Sequence, residues 1–275
     1  MSGHPDLISV IVSTYNWPKA LGLVLDSLAT QVDRGFEVVV ADDGSTPETG
    51  NLVAARARDF PVPLRHVWQE DQGFRAAAAR NRAVVESRGD YLLFLDGDCL
   101  VRDNFVRVHR RLACPGWFVA GNCIQMGVTL TATVLAGGRP IQHYTWLEFL
   151  VARRCGEVDR LTSLLCLPGG YFRKLRPRRW QGVLTRNLGL WREDYFLVNG
   201  FDENFVGWGH EDAEFVGRLI NAGIFRKDGC CAVPVLHFWH ASPHRGREVG
   251  NLRRMQQQLA NKVTRAEMGV DRYSL

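Results

Sequence analysis

Residues 91–98 read Tyr91-Leu92-Leu93-Phe94-Leu95-Asp96-Gly97-Asp98, and this stretch decides the fold. Its apolar run is long enough for a strand buried on both faces of a parallel sheet. The run ends abruptly in two carboxylates separated by one glycine. Open α/β sheets bind ligands beyond the carboxyl ends of their strands, which is where these acids fall. Residues two apart on a strand share a face, and a glycine between them lets the backbone turn so that both acids reach one ion. Two adjacent carboxylates repel unless a cation or a proton lies between them. A divalent metal with hard oxygen ligands, holding a phosphate-bearing substrate, resolves the conflict.

Upstream, the pattern alternates. Leu7–Ser13 reads as a strand, and Pro18 opens a helix with apolar residues at helical spacing. Phe36–Ala41 is a second strand, ending in Asp42-Asp43-Gly44-Ser45. Thr46 and Pro47 then start a helix that runs to Arg58. Leu64–Val67 is a third, weaker strand, Ala76–Ser87 an alanine-rich helix, and Tyr91–Leu95 the fourth strand. This order predicts an α/β fold with a mostly parallel central sheet flanked by helices, its strand ends on one rim. After residue 115 the alternation fails. Gly137-Gly138, Pro168-Gly169-Gly170 and Arg176-Pro177 mark loops, Glu211–Ala222 a helix, Cys231–Phe238 a strand and Gly250–Met268 a terminal helix. With no repeat and no linker, residues 1–275 read as one domain. Residues 1–115 form a nucleotide half, 116–245 an acceptor and catalytic half, and 246–275 a helical extension.

Composition narrows the class. A 46% hydrophobic fraction suits a globular core. No apolar stretch approaches the roughly 20 residues of a membrane span, and the polar start lacks a signal-peptide pattern, so a cytoplasmic location is expected. Seven cysteines without a CxxC pair argue against a disulfide framework or a cysteine-based zinc site. The net charge is +5, part of it in Arg173, Lys174, Arg176, Arg178, Arg179 and Arg186. This basic stretch, 173–186, reads either as a solvated loop or as an attractor of nucleotide phosphates, a phosphorylated acceptor or an anionic membrane face. Nucleic acid is not an expected partner.

Four constellations carry the chemistry. Ser13-Thr14-Tyr15-Asn16 and Asp42-Asp43-Gly44-Ser45 end neighbouring strands. Tyr15 can stack on a base there, and a carboxylate can accept an imide N–H, although Asp-Asp-Gly-Ser is also an ordinary turn. Arg75 and Arg80 are five apart and diverge on a helix, so one of them enters the site and faces a diphosphate. Asp96 and Asp98 form the third group. The fourth is Gly207-Trp208-Gly209-His210-Glu211-Asp212, a mobile loop with a flat ring suited to a sugar face, followed by two acids opening a helix. A carboxylate held there can act as general base toward a hydroxyl, or merely cap the helix. Downstream, either His237 or His240 can complete a metal shell with Asp98. A haloacid-dehalogenase-type phosphohydrolase and a non-catalytic nucleotide- or sugar-binding module are the rival readings. The former places its Asp-x-Asp on the first strand, whereas here the pair follows three βα units.

Ile8–Asn16, Glu37–Ser45, Asp71–Asn81, Gly89–Asp98 and Thr185–Phe215, in this order, resemble a glycosyltransferase family 2 enzyme of the GT-A fold. The second half is similar to the galactosyltransferase-type region of chondroitin-polymerising enzymes and polypeptide N-acetylgalactosaminyltransferases. The resemblance implies an inverting transfer from a UDP-sugar to a glycan or glycolipid hydroxyl, with Mn²⁺ or Mg²⁺ as cofactor. It implies that Tyr15, Asp43 and Ser13 hold the uracil, that Arg75 approaches the nucleotide and that Asp96 contacts the ribose or sugar side. Asp98 would be the metal ligand, with Asp96 beside it. Asp212 would be the base, Glu211 would hold the acceptor, and Trp208 would cover the donor. His240, before Ala241-Ser242-Pro243, is preferred to His237 as third ligand. His210 stands where many relatives carry glycine.

Overall fold

The computed structural model describes residues 3–165, 167, 170–241 and 248–273. Met1, Cys166, Pro168, Gly169, Ser242 and Pro243, all used in the sequence reading, lie outside the described residues. The first half alternates as expected: β1 (Ile8–Thr14), α1 (Pro18–Ala29), β2 (Phe36–Asp42), α2 (Pro47–Ala57), β3 (Leu64–Trp68), α3 (Ala76–Glu86) and β4 (Tyr91–Asp96). Pro18 and Pro47 open their helices, where a missing N–H costs nothing. β1 pairs in parallel with β2 and β4, and its register sets Ser13 beside Asp96 and Thr14 beside Asp42. Three strands therefore deliver their polar ends to one rim.

The second half continues with β5 (Cys99–Val101), α4 (Phe105–Leu112), β6 (Trp117–Ala120), β7 (Asn122–Gln125), α5 (Val128–Leu135) and α6 (Trp146–Arg154). It closes with β8 (Asn187–Trp191), α7 (Arg192–Leu197), α8 (Glu211–Asn221), β9 (Phe225–Asp228), β10 (Pro234–His237) and α9 (Glu248–Ala260). The main sheet runs β3-β2-β1-β4-β8-β6-β9, with β8 antiparallel to both its neighbours. β5, β10 and β7 make a small second sheet. The sequence pattern predicted none of β5 to β9. Strands of three to five residues hold too few alternations to register as a period.

Both faces of the main sheet are covered, which explains the all-apolar strands. Along β4, Tyr91, Leu93 and Leu95 join a core with Val10, Leu21 and Leu25. Leu92 and Phe94 join the opposite core with Ile11, Phe201 and Phe215. Gly97 is required by crowding more than by flexibility. Its N–H donates to the Ser13 carbonyl at 2.7 Å, and a Cβ there would lie 2.9 Å from the same oxygen.

Two expectations are corrected. The terminal helix stops at Ala260 rather than near Met268. Lys262 turns left-handed (φ 52°), and the Val263 N–H donates to the Gln258 carbonyl at 3.1 Å, a helix-ending motif in which lysine replaces the usual glycine. The strand expected over Cys231–Phe238 narrows to Pro234–His237, because Cys231 (φ 54°) lies in a turn. Among the described residues no helix is long and apolar enough to cross a membrane.

Polar ties lock the loop before α8. Buried Asn81 donates to the Phe201 carbonyl and to Glu203, both at 2.9 Å, and accepts from Tyr195 and the Phe201 N–H. Buried Arg218 pairs with Glu214 and donates to the carbonyls of Val198 (2.6 Å) and Gly200 (2.8 Å). Truncating Arg218 strands the Glu214 charge and two carbonyls. Arg218→Ala is expected to lower unfolding free energy by about 3–5 kcal/mol. An unchanged urea midpoint would show that the pair contributes nothing.

Candidate active site

A cleft of about 1000 Å³ opens along the rim. Ser13, Tyr15, Asp43, Asp96, Asp98, Trp208, Glu211, Asp212, His237 and His240 all line it. They come from the ends of β1, β2, β4 and β10 and from the start of α8, so the fold gathers groups up to 227 residues apart. Arg75 is the exception. Its backbone N–H donates to Asp43 at 2.7 Å, but its guanidinium turns to Gln72 and does not line the cleft. Arg80 enters instead. The small buried residues Ala76–Ala79 let α3 lie close on the sheet, and the next side chain reaches across it.

Arg80 is 5% exposed and holds the centre. Its Nε donates to Ser13 Oγ at 3.1 Å. Its terminal nitrogens lie 3.5 Å from Asp96, 3.7 Å from Glu211 and 3.8 Å from Asp212. Burial opposes its charge, but Asp212, Asp96 and Glu211 outweigh that and hold its pKa above the usual arginine value. Glu211 is pushed up to about 7 by burial and by Asp212, against the pull of Arg80. Asp212 takes the Thr185 backbone N–H at 3.0 Å on one oxygen and the Thr185 hydroxyl at 2.8 Å on the other. Thr185 thereby fixes the carboxylate's orientation at the start of α8. Preceding it, His210 adopts a left-handed conformation (φ 71°) and lines the same cleft.

At the other end, Asp98 Oδ2 lies 3.4 Å from Nε2 of both His237 and His240. Burial, then Asp96, drive the Asp98 carboxyl up to about 7. Burial, then Arg186 and His240, drive His237 down to about 3, which keeps its imidazole neutral. A buried acid disfavoured as an anion, facing two ring nitrogens, is a donor set that fits a divalent cation. Cys99 lies against Asp98, and one donor atom each from Asp98, Cys99 and His237 falls within 4.8 Å of the others, so the thiol is also placed as a donor although burial raises its pKa well above the ordinary value. His240 Nδ1 approaches the Ala241 carbonyl at 2.9 Å, leaving Nε2 directed at Asp98.

Near the other wall, Asp43 accepts from Gln69 at 2.6 Å and from the Arg75 N–H, while burial lifts it to about 6. Tyr15 is about half exposed at the mouth, and its hydroxyl donates to Asp71 at 2.9 Å. Part of the basic stretch 173–186 turns inward, while Arg176, Arg178 and Arg179 stay exposed. Buried Arg173 donates to the carbonyls of Leu167, Asp228 and Cys230. Lys174 and Arg178 lie over the rings of Trp117 and Phe225, and Arg186 lines the cleft. The sequence reading named Arg186 only within the basic stretch and Thr185 only as the start of a matching segment, gave Trp180 no role, and placed none of them in the cleft. The loop ahead of β8 that carries them has no periodic pattern.

Fold and cleft define an α/β enzyme working at a strand rim crowded with acids. Residues 9–131 match the family profile described as glycosyl transferase family 2, and residues 173–234 match the one described as N-terminal domain of galactosyltransferase. Residues 9–131 thus carry a glycosyltransferase family 2 domain on a GT-A fold, which makes this a glycosyltransferase and sets aside the phosphohydrolase and binding-module readings. The chain is 33% identical over 242 residues to the validoxylamine A glucosyltransferase of Streptomyces hygroscopicus subsp. jinggangensis, covering 81% of this chain and 53% of that protein. The chain thus spans about half the length of that relative. Among solved structures, S. aureus TarS 1–349 in complex with UDP superposes with a TM-score of 0.62 at 17% identity, covering 96% of this chain and 68% of that one. The mannosyltransferase PcManGT from Pyrobaculum calidifontis, in complex with GDP-Man and Mn²⁺, gives 0.60 at 20% identity, covering 95% and 63%.

Glu211 makes the site's cost measurable. Its pKa in the fold, about 7, exceeds the ordinary glutamate value. Its contribution to stability is therefore complete below the unfolded-state pKa and is lost as pH rises through about 7. Glu211→Gln is expected to stabilise the protein by about 1–3 kcal/mol at pH 8, with the gain fading toward pH 5. Thermal unfolding at the two pH values measures it; an equal gain at both would show that the charge is not the cause.

Proposed function

We propose that this chain is an inverting, metal-dependent transferase that moves a hexose or N-acetylhexosamine from a UDP-sugar to a hydroxyl of a glycan or glycolipid, in surface polysaccharide or lipopolysaccharide synthesis. The observation that carries the reading is one cleft with a cation-type donor set at one end, Asp98 with His237 and His240, and an oriented carboxylate, Asp212, at the other. Relatives of the same fold that hold UDP, or GDP-Man with Mn²⁺, support the nucleotide-sugar and metal parts.

In this reading residues 1–115 supply the nucleotide side, 116–245 the acceptor side, and 246–275 a buttress for α8. Tyr15 offers its ring to the uracil and Asp43 accepts the imide N–H. Asp98, with His240 or His237 and with Asp96 alongside, would hold Mn²⁺ or Mg²⁺, which when bound offsets negative charge on the diphosphate. Arg186 adds a fixed positive charge beside Asp96 and Asp98. Asp212, aimed by Thr185, accepts the proton of the acceptor hydroxyl as its oxygen attacks the anomeric carbon. Glu211 positions the acceptor, and Trp208 packs on the sugar and keeps water from the donor.

Asp212→Asn is expected to lower kcat by about 10²–10⁴ while leaving donor affinity intact. A panel of UDP-sugars scored for UDP release with Mn²⁺ present measures this, and an unchanged kcat would remove Asp212 from the role. Asp98→Ala should abolish metal-dependent UDP binding in calorimetry. Equal UDP heats with and without Mn²⁺ in the unsubstituted protein would contradict the metal assignment.

A further inference from the structure

Helix α6 shows the solvent an apolar face. Trp146, Leu147, Leu150 and Val151 are 50%, 70%, 48% and 55% exposed, while Phe149 and Ala152 bury the opposite side. These four positions follow helical spacing, so they form one strip rather than scattered contacts. Such a strip on a well-formed helix, capped by a reciprocal Thr145–Glu148 box, is unusual for a surface that meets only water.

Charge decides what it fits. Between residues 128 and 156 the only acid is Glu148, and it is tied to the Thr145 cap and to Arg139. Arg153 and Arg154 remain exposed at the helix end. A tryptophan, aliphatic side chains and two exposed arginines on one short helix match the boundary between acyl chains and anionic headgroups. A second copy of the same face would bring like charges together. We infer that α6 is an in-plane docking surface for an anionic phospholipid bilayer.

The docking helix is coupled to the cleft. The Gly127 and Leu130 N–H groups that open α5 bond to Glu157, just past the end of α6. Asp159 exchanges hydrogen bonds with Gln125, a cleft residue, at 2.9 and 3.2 Å. Trp239, another cleft residue, donates its N–H to Thr131 of α5 at 2.9 Å. The segment that follows α6 is thus bonded directly to Gln125 and, through α5, to Trp239. This deepens the proposed reaction, on which it rests for this one point: the acceptor is presented by a lipid.

The test is co-sedimentation of the full chain with vesicles of phosphatidylcholine alone or mixed with phosphatidylglycerol. Binding to the mixed vesicles is expected, weakening at high salt. Leu147→Ser with Leu150→Ser should reduce partitioning by at least about tenfold through lost apolar insertion. Arg153→Gln with Arg154→Gln should reduce it on the order of tenfold. All four positions are exposed, so unfolding temperature and UDP binding should not move. No sedimentation at low salt would overturn the proposal, as would undiminished binding by the leucine variant. A concentration-dependent dimer that the leucine variant abolishes, without vesicle binding, would assign the face to self-association instead. Transfer to a soluble acceptor is scored separately. Vesicle binding without transfer sinks the catalytic reading alone, and transfer without vesicle binding sinks only the docking surface.

Discussion

One buried guanidinium organises this molecule. Arg80 reaches from α3 over the end of β1 and meets acids from β4 and α8. Five acids line the cleft against two arginines, Arg80 and Arg186. With all of them ionised the cleft is strongly negative, and a diphosphate entering it alone would be repelled. Arg80 lies against Asp96, Glu211 and Asp212, while Asp98 has Arg186 and two imidazoles near it. Five carboxylates against two guanidiniums still leave the cleft short of positive charge, and a nucleotide arriving with a metal would find attraction in place of repulsion. Stability is lost to this arrangement, as the raised pKa values of Glu211, Asp98 and Asp43 show.

Most of the first half of the chain was legible because its information is local. β4 declares itself by an apolar run long enough to need two covered faces, and Pro18 and Pro47 mark helix starts by their own chemistry. Asp96, Asp98, Glu211 and Asp212 were legible for a related reason: acids placed at the end of a strand or the start of a helix sit where the backbone leaves them facing a ligand. What stayed hidden depends on partners far away in sequence. β8 lies between β4 and β6 only because the chain returns antiparallel, and nothing in Asn187–Trp191 announces its neighbours. Thr185 matters through a contact 27 residues distant. The choice between Arg75 and Arg80 turned on helix phase, and a boundary error of one residue is enough to reverse it.

The segment between α7 and α8 shows how the Asp212 carboxylate is held without a regular element ahead of it. Its backbone turns left-handed at Asn199, Gly200, Gly207, Gly209 and His210. Glycines take such angles freely, whereas Asn199 and His210 pay for them. The chain tolerates the strain because Asn81 and Arg218 clamp its first residues from two helices. Its far end, which carries Trp208, is tied by the Gly207 N–H to the Phe74 carbonyl at 3.0 Å and by the Asn251 amide to the Val206 carbonyl at 3.4 Å. Both ends of the segment that leads into Asp212 are therefore held by groups from other elements.

The two histidines facing Asp98 are held by different means, and this separates their capacities. His237 ends β10, where antiparallel pairing sets it opposite Cys99, and the next N–H, of Phe238, donates to the Asp98 carbonyl at 3.0 Å. Because side chains alternate along a strand, a slip of one residue would turn this imidazole to the other face. Register therefore fixes His237 to Asp98 as firmly as the small sheet itself is fixed. His240 lies beyond the strand, steadied by an edge contact with the Trp17 ring at 6.0 Å and by its bond to the Ala241 carbonyl. One imidazole is built into the sheet and the other rides on a loop. A donor set divided in this way can keep a cation on its fixed members while the loop member responds to what the cation carries.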